Sequence, residues 1–514
     1  MTSTAEPEAV DFVFGLHHKD LIVSDDTTAF LNEQGVDVEE VKHGRLIYAD
    51  PEDDSYPIAS YFVSTSHNTY LLANQIFGTS SVKSYTAVLA DNARCVEMDV
   101  WPSPDGFIVT HGHAFTSSIP FGDACLAIGK AVQPDDWPVL VSLECHVDVE
   151  EQAKLCWIMR NAWGSKLVDA ELEGVEPHTA SPRDFRGRIL VMVEYYPTDS
   201  LAADHDEKGS TSEHSDSEGS QWLAALRRRR ADEGKSKTKV KIGPELSALG
   251  FYMRSMKPIG DDFLTKPITD AKLNILINIA EPALKALGPA AEAALITHAH
   301  THMRRVYPEG LRVTSTNQDP LACWRNGSQI AAMNWQTFDR GMQLNEAMFA
   351  GTKGWVLKPP SLRPADGVHG LFKMQMPHFF SHAEHTLSID VVGANNLPRE
   401  GEDNSSEWPL YVHAELVHSA GNQNWKSKSV TVPFSPRANP MWRERLTWTI
   451  PSGDELAFVR LVVLREEWGD DSHLGFFAAR LSRLNTNNEW RLAKLLDQHG
   501  TDTAASLLVR FSYE

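Results

Sequence analysis

Two periodicities divide this chain. From Ser60 to about Pro197, short apolar runs alternate with amphipathic stretches of helical spacing. The runs YFVST, CVEMDVW, FIVT, VLVSLEC and ILVMVEY read as strands buried on both faces. Between them Val82–Asn92, Asp123–Val132 and Val149–Trp163 repeat their apolar positions every three to four residues. The same texture resumes near Pro244, with FYMRSM, RRVY, GLRVT, QIAAMN and GWVLKP as further strands and a helix expected from Ala291 to Met303. Alternating β and α elements predict a parallel sheet, open or closed into an eight-stranded barrel. Beyond Leu371 the period changes to two: TLSIDVV, LYVHAEL, SVTVPF, RLTWTI, VRLVVL, GFFAARL and LLVRFSY, separated by polar turns. That pattern predicts an antiparallel β-sandwich.

Polarity marks the divisions. Residues 1–56 are acidic and weakly periodic, with one short helix expected over Thr27–Val36. Residues 57–197 and 244–364 are two halves of one barrel, and 371–514 form the sandwich. Between the halves, 198–243 reads as a charged disordered linker. Acidic residues crowd its first part, and Arg227 to Arg230 with four lysines fill its second.

The 514 residues carry 69 acidic against 48 basic side chains, a net charge of -21. That weighs against nucleic-acid binding, which needs a basic footprint, and restricts any membrane contact to a local patch. The five cysteines show no metal-ligand spacing and read as buried thiols in a reducing compartment. No signal peptide or membrane-spanning run is expected, so the protein is predicted to be cytoplasmic.

Candidate chemistry concentrates between Tyr61 and Phe115. In CVEMDVW, Glu97 and Asp99 share one strand face, and an otherwise apolar strand rarely carries two acids unless they are paired or bind metal. Glu144 closes VSLEC, His67-Asn68 follows one apolar run, and His111 follows FIVT. Carboxylates, an amide and two histidines at strand ends can hold a hard cation and move protons.

SHNTYLL, CVEMDVW, HGHAFTS and VSLECH resemble the X region of eukaryotic phosphoinositide-specific phospholipase C. ELSALGFYMRSM, RRVYPEGLRVTSTN, CWRNGSQIAAMNWQT and GWVLKP resemble its Y region, and the C-terminal part its C2-type domain. The resemblance implies a distorted TIM-type β/α barrel split into X and Y halves, followed by the antiparallel sandwich. No pleckstrin-homology domain is expected, and the first 56 residues hold at most an EF-hand remnant. It implies Ca²⁺ as cofactor, held by Asn68, Glu97, Asp99 and Glu144. It implies catalysis by His67, His111 and Glu97, substrate contacts from Arg305 and Tyr307, and a membrane ridge of Ile76, Phe115 and Leu311. The partner is then a phosphoinositide at a membrane surface to which the protein is recruited. The products are diacylglycerol and an inositol phosphate formed through a cyclic phosphate.

Two departures stand out. Where relatives that prefer the 4,5-bisphosphate carry two lysines, this chain has Met192 and Glu194, with Lys257 and Arg254 as candidate replacements. In the sandwich the expected calcium loops offer only Glu407, Trp408, Glu466, Glu467, Asp470 and Asp471, so Ca²⁺ binding there is expected to be weak or absent, and Trp408 and Trp468 are candidate headgroup contacts. The rival functions are a catalytically inactive scaffold that binds inositol phosphates and a barrel phosphodiesterase of glycerophosphodiester type.

Overall fold

The structure is a computed structural model, which describes residues 20–72, 79–112, 116–196, 241–258, 274–364, 385–398, 407–433, 435–451 and 454–514. Residues 198–240 of the expected 198–243 linker and the ridge candidates Ile76 and Phe115 lie outside them.

Strands β1 (Tyr61–Val63), β2 (Cys95–Ser103), β3 (Gly106–Val109), β4 (Ile119–Pro120), β5 (Val139–Cys145), β6 (Ile189–Glu194), β7 (Arg254–Met256), β8 (Ile275–Ala280), β9 (Met303–Tyr307), β10 (Ile330–Ala331) and β11 (Trp355–Leu357) form one sheet. Eight of them, β1, β2 and β5 to β10, pair in parallel, and a bridge between Thr65 and Cys95 closes the barrel. β3 and β4 extend β2 as antiparallel strands, and β11 pairs antiparallel with β1.

Strand residues alternate between two apolar clusters. Tyr61, Val63, Cys95, Leu140, Leu190, Met192, Leu276 and Met303 fill one, whereas Phe62, Val96, Met98, Val141, Val191 and Ile277 join the other, beneath the helices. The first is the barrel lumen, because alternate side chains of a strand point to opposite faces. Burial on both faces explains why these strands read as unbroken apolar runs. The helices Phe121–Ala131 and Val149–Trp163 pack closely at Gly129, where a Cβ would lie 2.8 Å from the Ala162 carbonyl oxygen.

GLRVT is not a strand: residues 310–314 turn back after β9, with Arg312 tied to Glu281 rather than to a ladder. The missing barrel strand is β8, within an apolar stretch that gives no two-residue alternation. The expected Ala291–Met303 helix is shorter, Glu292–Ala299, and Met303 already belongs to β9.

The sandwich comprises β12 (His385–Asn395), β13 (Leu397–Pro398), β14 (Glu407–Val417), β15 (Gln423–Lys426), β16 (Val430–Pro433), β17 (Arg437–Ala438), β18 (Met441–Ile450), β19 (Phe458–Arg465), β20 (Ser472–Arg480), β21 (Asn487–Leu496) and β22 (Asp502–Tyr513). All their pairings are antiparallel. Sequence reading missed β21, whose NNEWRLAKLL spacing mimics a helix. β19 is buried on both sides: Val459, Leu461 and Val463 face the sandwich core, while Phe458, Val462 and Leu464 join the barrel's outer cluster. Phe338 meets Phe476 edge-on at 6.1 Å, and Arg340 forks onto Glu415 at 2.8 and 3.1 Å. Barrel and sandwich therefore share an apolar seam with paired charges at its edge.

The helices Asp25–Glu33 and Val38–His43 pack on the sandwich through Phe30, Leu31 and Val41. Asp50 then pairs with Arg483 at 2.6 Å, and Asp54 with Arg186 at 2.9 Å. The segment straps one domain to the other.

Candidate active site

The lumen face of β2 carries Cys95, Glu97, Asp99 and Trp101 in succession. In the β2–β5 register Glu97 stands beside Ser142 and Asp99 beside Glu144. The acids therefore climb from an apolar floor to the end where the strands finish, the catalytic rim of β/α barrels.

Carboxylate oxygens of Glu97, Asp99 and Glu144 lie within 4.8 Å of one another, and among the described residues this is the one group of three acidic, histidine or cysteine ligands able to share an ion. Glu97 and Asp99 are buried, and Glu144 sits at the rim. Burial, then repulsion from Glu144 and Glu97, raises the Asp99 carboxyl well above the usual aspartate range. Its Oδ2 accepts a 2.7 Å bond from the Tyr70 hydroxyl, and its buried Oδ1 has no hydrogen-bond partner. An orphaned carboxylate oxygen amid two other carboxylates is what a cation would complete.

Asn68 takes the left-handed conformation that asparagine tolerates, at φ 44°. Its backbone N–H donates to Glu97 Oε2 at 2.9 Å, and its side-chain oxygen lies 3.1 Å from the Tyr70 hydroxyl, whose proton goes to Asp99. One hydroxyl thus spans two of the four proposed ligands.

His67 is placed by its Nδ1–H, which donates to Asn334 Oδ1 at 2.9 Å, while its Nε2 stands 3.8 Å from Glu97 Oε2. Burial pulls the imidazole below the ordinary histidine range. His111 follows β3, and the Thr110 N–H donates to the Asp99 carbonyl at 3.1 Å, which brings that strand end to the rim. Arg305, on the lumen face of β9, donates to Glu97 Oε1 at 2.6 Å and to Asn278 at 3.2 Å. It is the basic partner that the sequence did not associate with the acids. Among the described residues its ion pair is with Glu97, leaving Asp99 and Glu144 without an arginine. Tyr307 is two residues further up the same face, its ring 5.9 Å from the Arg305 guanidinium.

Met192 is buried in the lumen core, and Glu194 is the next lumen residue, held at the rim by a 3.0 Å bond from the Tyr196 hydroxyl. Arg254 turns outward over the Tyr195 ring at 5.2 Å, whereas Lys257 is exposed just past β7. Leu311 is 63% exposed on the turn after β9. Trp408, a candidate headgroup contact, is instead buried beneath Arg465, while Trp468 is fully exposed. Beside it Glu466 pairs with Lys426 and Asp471 accepts from Tyr411. Tyr70, Asn278 and Asn334 escaped sequence reading. For Trp101 and His146 a signal was present: each is two residues past an acid, on the same face.

The sequence models for "Phosphatidylinositol-specific phospholipase C, X domain", the corresponding Y domain and the C2 domain match residues 55–195, 246–361 and 385–493. Eight parallel strands, an acid-and-histidine mouth and an appended sandwich thus define the class: the chain belongs to the phosphatidylinositol-specific phospholipase C family. Among particular relatives, it is similar to the 1-phosphatidylinositol 4,5-bisphosphate phosphodiesterase delta-4 of Xenopus laevis, 33% identical over 479 residues, which cover 89% of this chain and 60% of that one. It is 32% identical over 472 residues to the delta-3 enzyme of Homo sapiens, covering 89% and 56%. The crystal structure of L. pealei PLC21 superposes with a TM-score of 0.68 at 25% identity, over 90% of this chain and 56% of that one. The chain therefore spans about 60% of the length of these relatives. Among the described residues no helix is long and apolar enough to cross a membrane.

Proposed function

We propose that this protein is a Ca²⁺-dependent phosphodiesterase that cleaves phosphatidylinositol or its phosphorylated forms at a membrane surface, releasing diacylglycerol. The observation that carries this reading is the trio Glu97, Asp99 and Glu144 with its orphaned Asp99 oxygen, beside His67 and His111.

Three carboxylates and the Asn68 amide oxygen are the hard oxygen donors that Ca²⁺ takes. Bound there, the ion would acidify the inositol 2-hydroxyl and offset phosphate charge. Glu97 accepts the hydroxyl proton, and the freed oxygen attacks phosphorus to form a five-membered cyclic phosphate. The bond from phosphorus to the diacylglycerol oxygen breaks, and His111 gives that oxygen its proton. His67 supports the charge that develops at phosphorus. In the second step His111 takes a proton from water, the water oxygen attacks phosphorus, and the ring opens as Glu97 returns its proton to the 2-oxygen. Arg305, held by Glu97 and Asn278, and Tyr307 orient the inositol ring.

Glu194 sets the substrate class. A carboxylate at the rim repels a ring phosphate and offers it no donor, so phosphatidylinositol and its monophosphate are preferred over the 4,5-bisphosphate. Phosphorus NMR of the water-soluble products tests the chemistry: the cyclic phosphodiester should precede the open inositol phosphate. Direct formation of the open product would refute the scheme.

A further inference from the structure

The rim carries a stack of rings that the scheme above does not use. After the β2–β5 pair Asp99/Glu144, the next residues on the same faces are Trp101 and His146, and the ladder continues between them through the His146 N–H to the Val100 carbonyl at 2.9 Å. The imidazole lies flat on the indole, with centroids 3.8 Å apart and planes 12° apart. Its Nε2–H donates to Glu144 Oε1 at 3.0 Å. The indole also flanks Gly112, the residue after His111. A Cβ on Gly112 would stand 3.2 Å from the Trp101 ring, and Gly112 adopts φ 47°, where glycine is at ease. Contacts thus run from Glu144 through His146 to Trp101, whose ring lies beside the Gly112 backbone next to His111.

Glu144 needs such support. Glu97 is fixed by Arg305 and the Asn68 N–H, and Asp99 by Tyr70, but Glu144 is half-exposed and no arginine or lysine holds it among the described residues. A rim carboxylate with free rotamers loses entropy on joining a cation site. A flat ring held between an indole and that carboxylate removes part of this loss beforehand.

We propose that His146 and Trp101 are positioning residues: a stacked brace that fixes Glu144 for the cation and ties its orientation to the turn carrying His111. The inference rests on the proposed Ca²⁺ site and assigns its rim to two residues that touch neither cation nor substrate. It predicts that the brace acts on cation affinity first and on turnover through the His111 turn second. Loss of a side chain that orients a metal ligand commonly weakens metal binding about 10–100-fold.

The test is calorimetric titration of the full chain with Ca²⁺, alongside thermal unfolding in chelator. His146→Ala should weaken Ca²⁺ binding about 10–100-fold while leaving the unfolding midpoint in chelator near that of the unsubstituted protein. His146→Gln, whose amide N–H can reach Glu144, should recover most of the affinity. Trp101→Leu keeps apolar bulk but loses the flat face, and should weaken binding and also lower kcat on saturating lipid. His146→Ala that binds Ca²⁺ as tightly as the unsubstituted protein would overturn the brace, as would Gln giving no recovery. If the unsubstituted protein itself takes up no Ca²⁺, the cation site fails, and the brace with it.

Discussion

Asp99→Asn isolates the strain in the acidic cluster. The substitution keeps an oxygen to accept the Tyr70 hydroxyl at 2.7 Å but removes a charge within 4.8 Å of Glu97 and Glu144. Two unit charges at that separation repel by about 3–4 kcal/mol at an effective dielectric constant near 20. Arg305, bound to Glu97, offsets part of this. The substitution should therefore stabilise chelator-treated protein by about 1–3 kcal/mol, raising its unfolding midpoint by about 1–3 °C. Because the folded site raises the Asp99 carboxyl above its ordinary range, deprotonation works against folding. The stability it removes is fully present below the unfolded aspartate range and falls as pH rises, so the advantage of Asn should widen from pH 5 to pH 8. Ca²⁺ reverses the ranking: a ligand at a hundredfold excess over its Kd adds about 2.7 kcal/mol to a protein that binds it, and Asp99→Asn should lose most of that gain. Differential scanning calorimetry with chelator and with Ca²⁺ measures both effects. A variant less stable in chelator, or one with an undiminished Ca²⁺ shift, would refute the reasoning.

Other regions give separate tests. Glu281 is held by Arg312 and Lys285 at 2.8 and 2.6 Å, which brings its carboxyl down to about 2 despite burial. Glu281→Gln should cost about 3 kcal/mol at neutral pH if counted in full, nearer half after screening of the exposed lysine. The deficit should vanish in unfolding curves as pH falls from about 4.5 toward 2, since that stability exists only while the carboxylate is charged. Glu194→Lys should raise hydrolysis of the 4,5-bisphosphate relative to phosphatidylinositol by about tenfold, or 1.4 kcal/mol, with an unchanged ratio counting against a rim role for that residue. Arg340→Ala leaves Glu415 with Arg460 at 3.5 Å, and should lower stability by about 2–3 kcal/mol in denaturant unfolding.

Much of the fold could be read from period alone, because barrel strands buried on two faces give apolar runs and sandwich strands with a wet face alternate. Failures occurred where burial is not shown by local pattern. GLRVT looks like a strand, yet its arginine serves a carboxylate on the preceding β8 end. β21 looks helical because one of its faces meets the N-terminal helices and the other the sandwich core. Trp408 looked like a surface aromatic because its covering residue, Arg465, lies more than fifty positions away. The acids of the site were visible as charges in strands that ought to have none. Their partners were not: Arg305 meets Glu97 across 208 positions, and no local spacing encodes that contact. Trp101 and His146 were within reach, since extending the two-residue alternation past Asp99 and Glu144 places both on the site face.

Ca²⁺ dependence of lipid cleavage tests the central claim most directly. Vesicles containing phosphatidylinositol are incubated with the full chain, in buffered Ca²⁺ or in chelator, and water-soluble inositol phosphate is counted. The account predicts release with Ca²⁺, none in chelator, and restoration when Ca²⁺ is returned. Equal release in chelator, or no release from any inositol lipid with Ca²⁺ present, would contradict it.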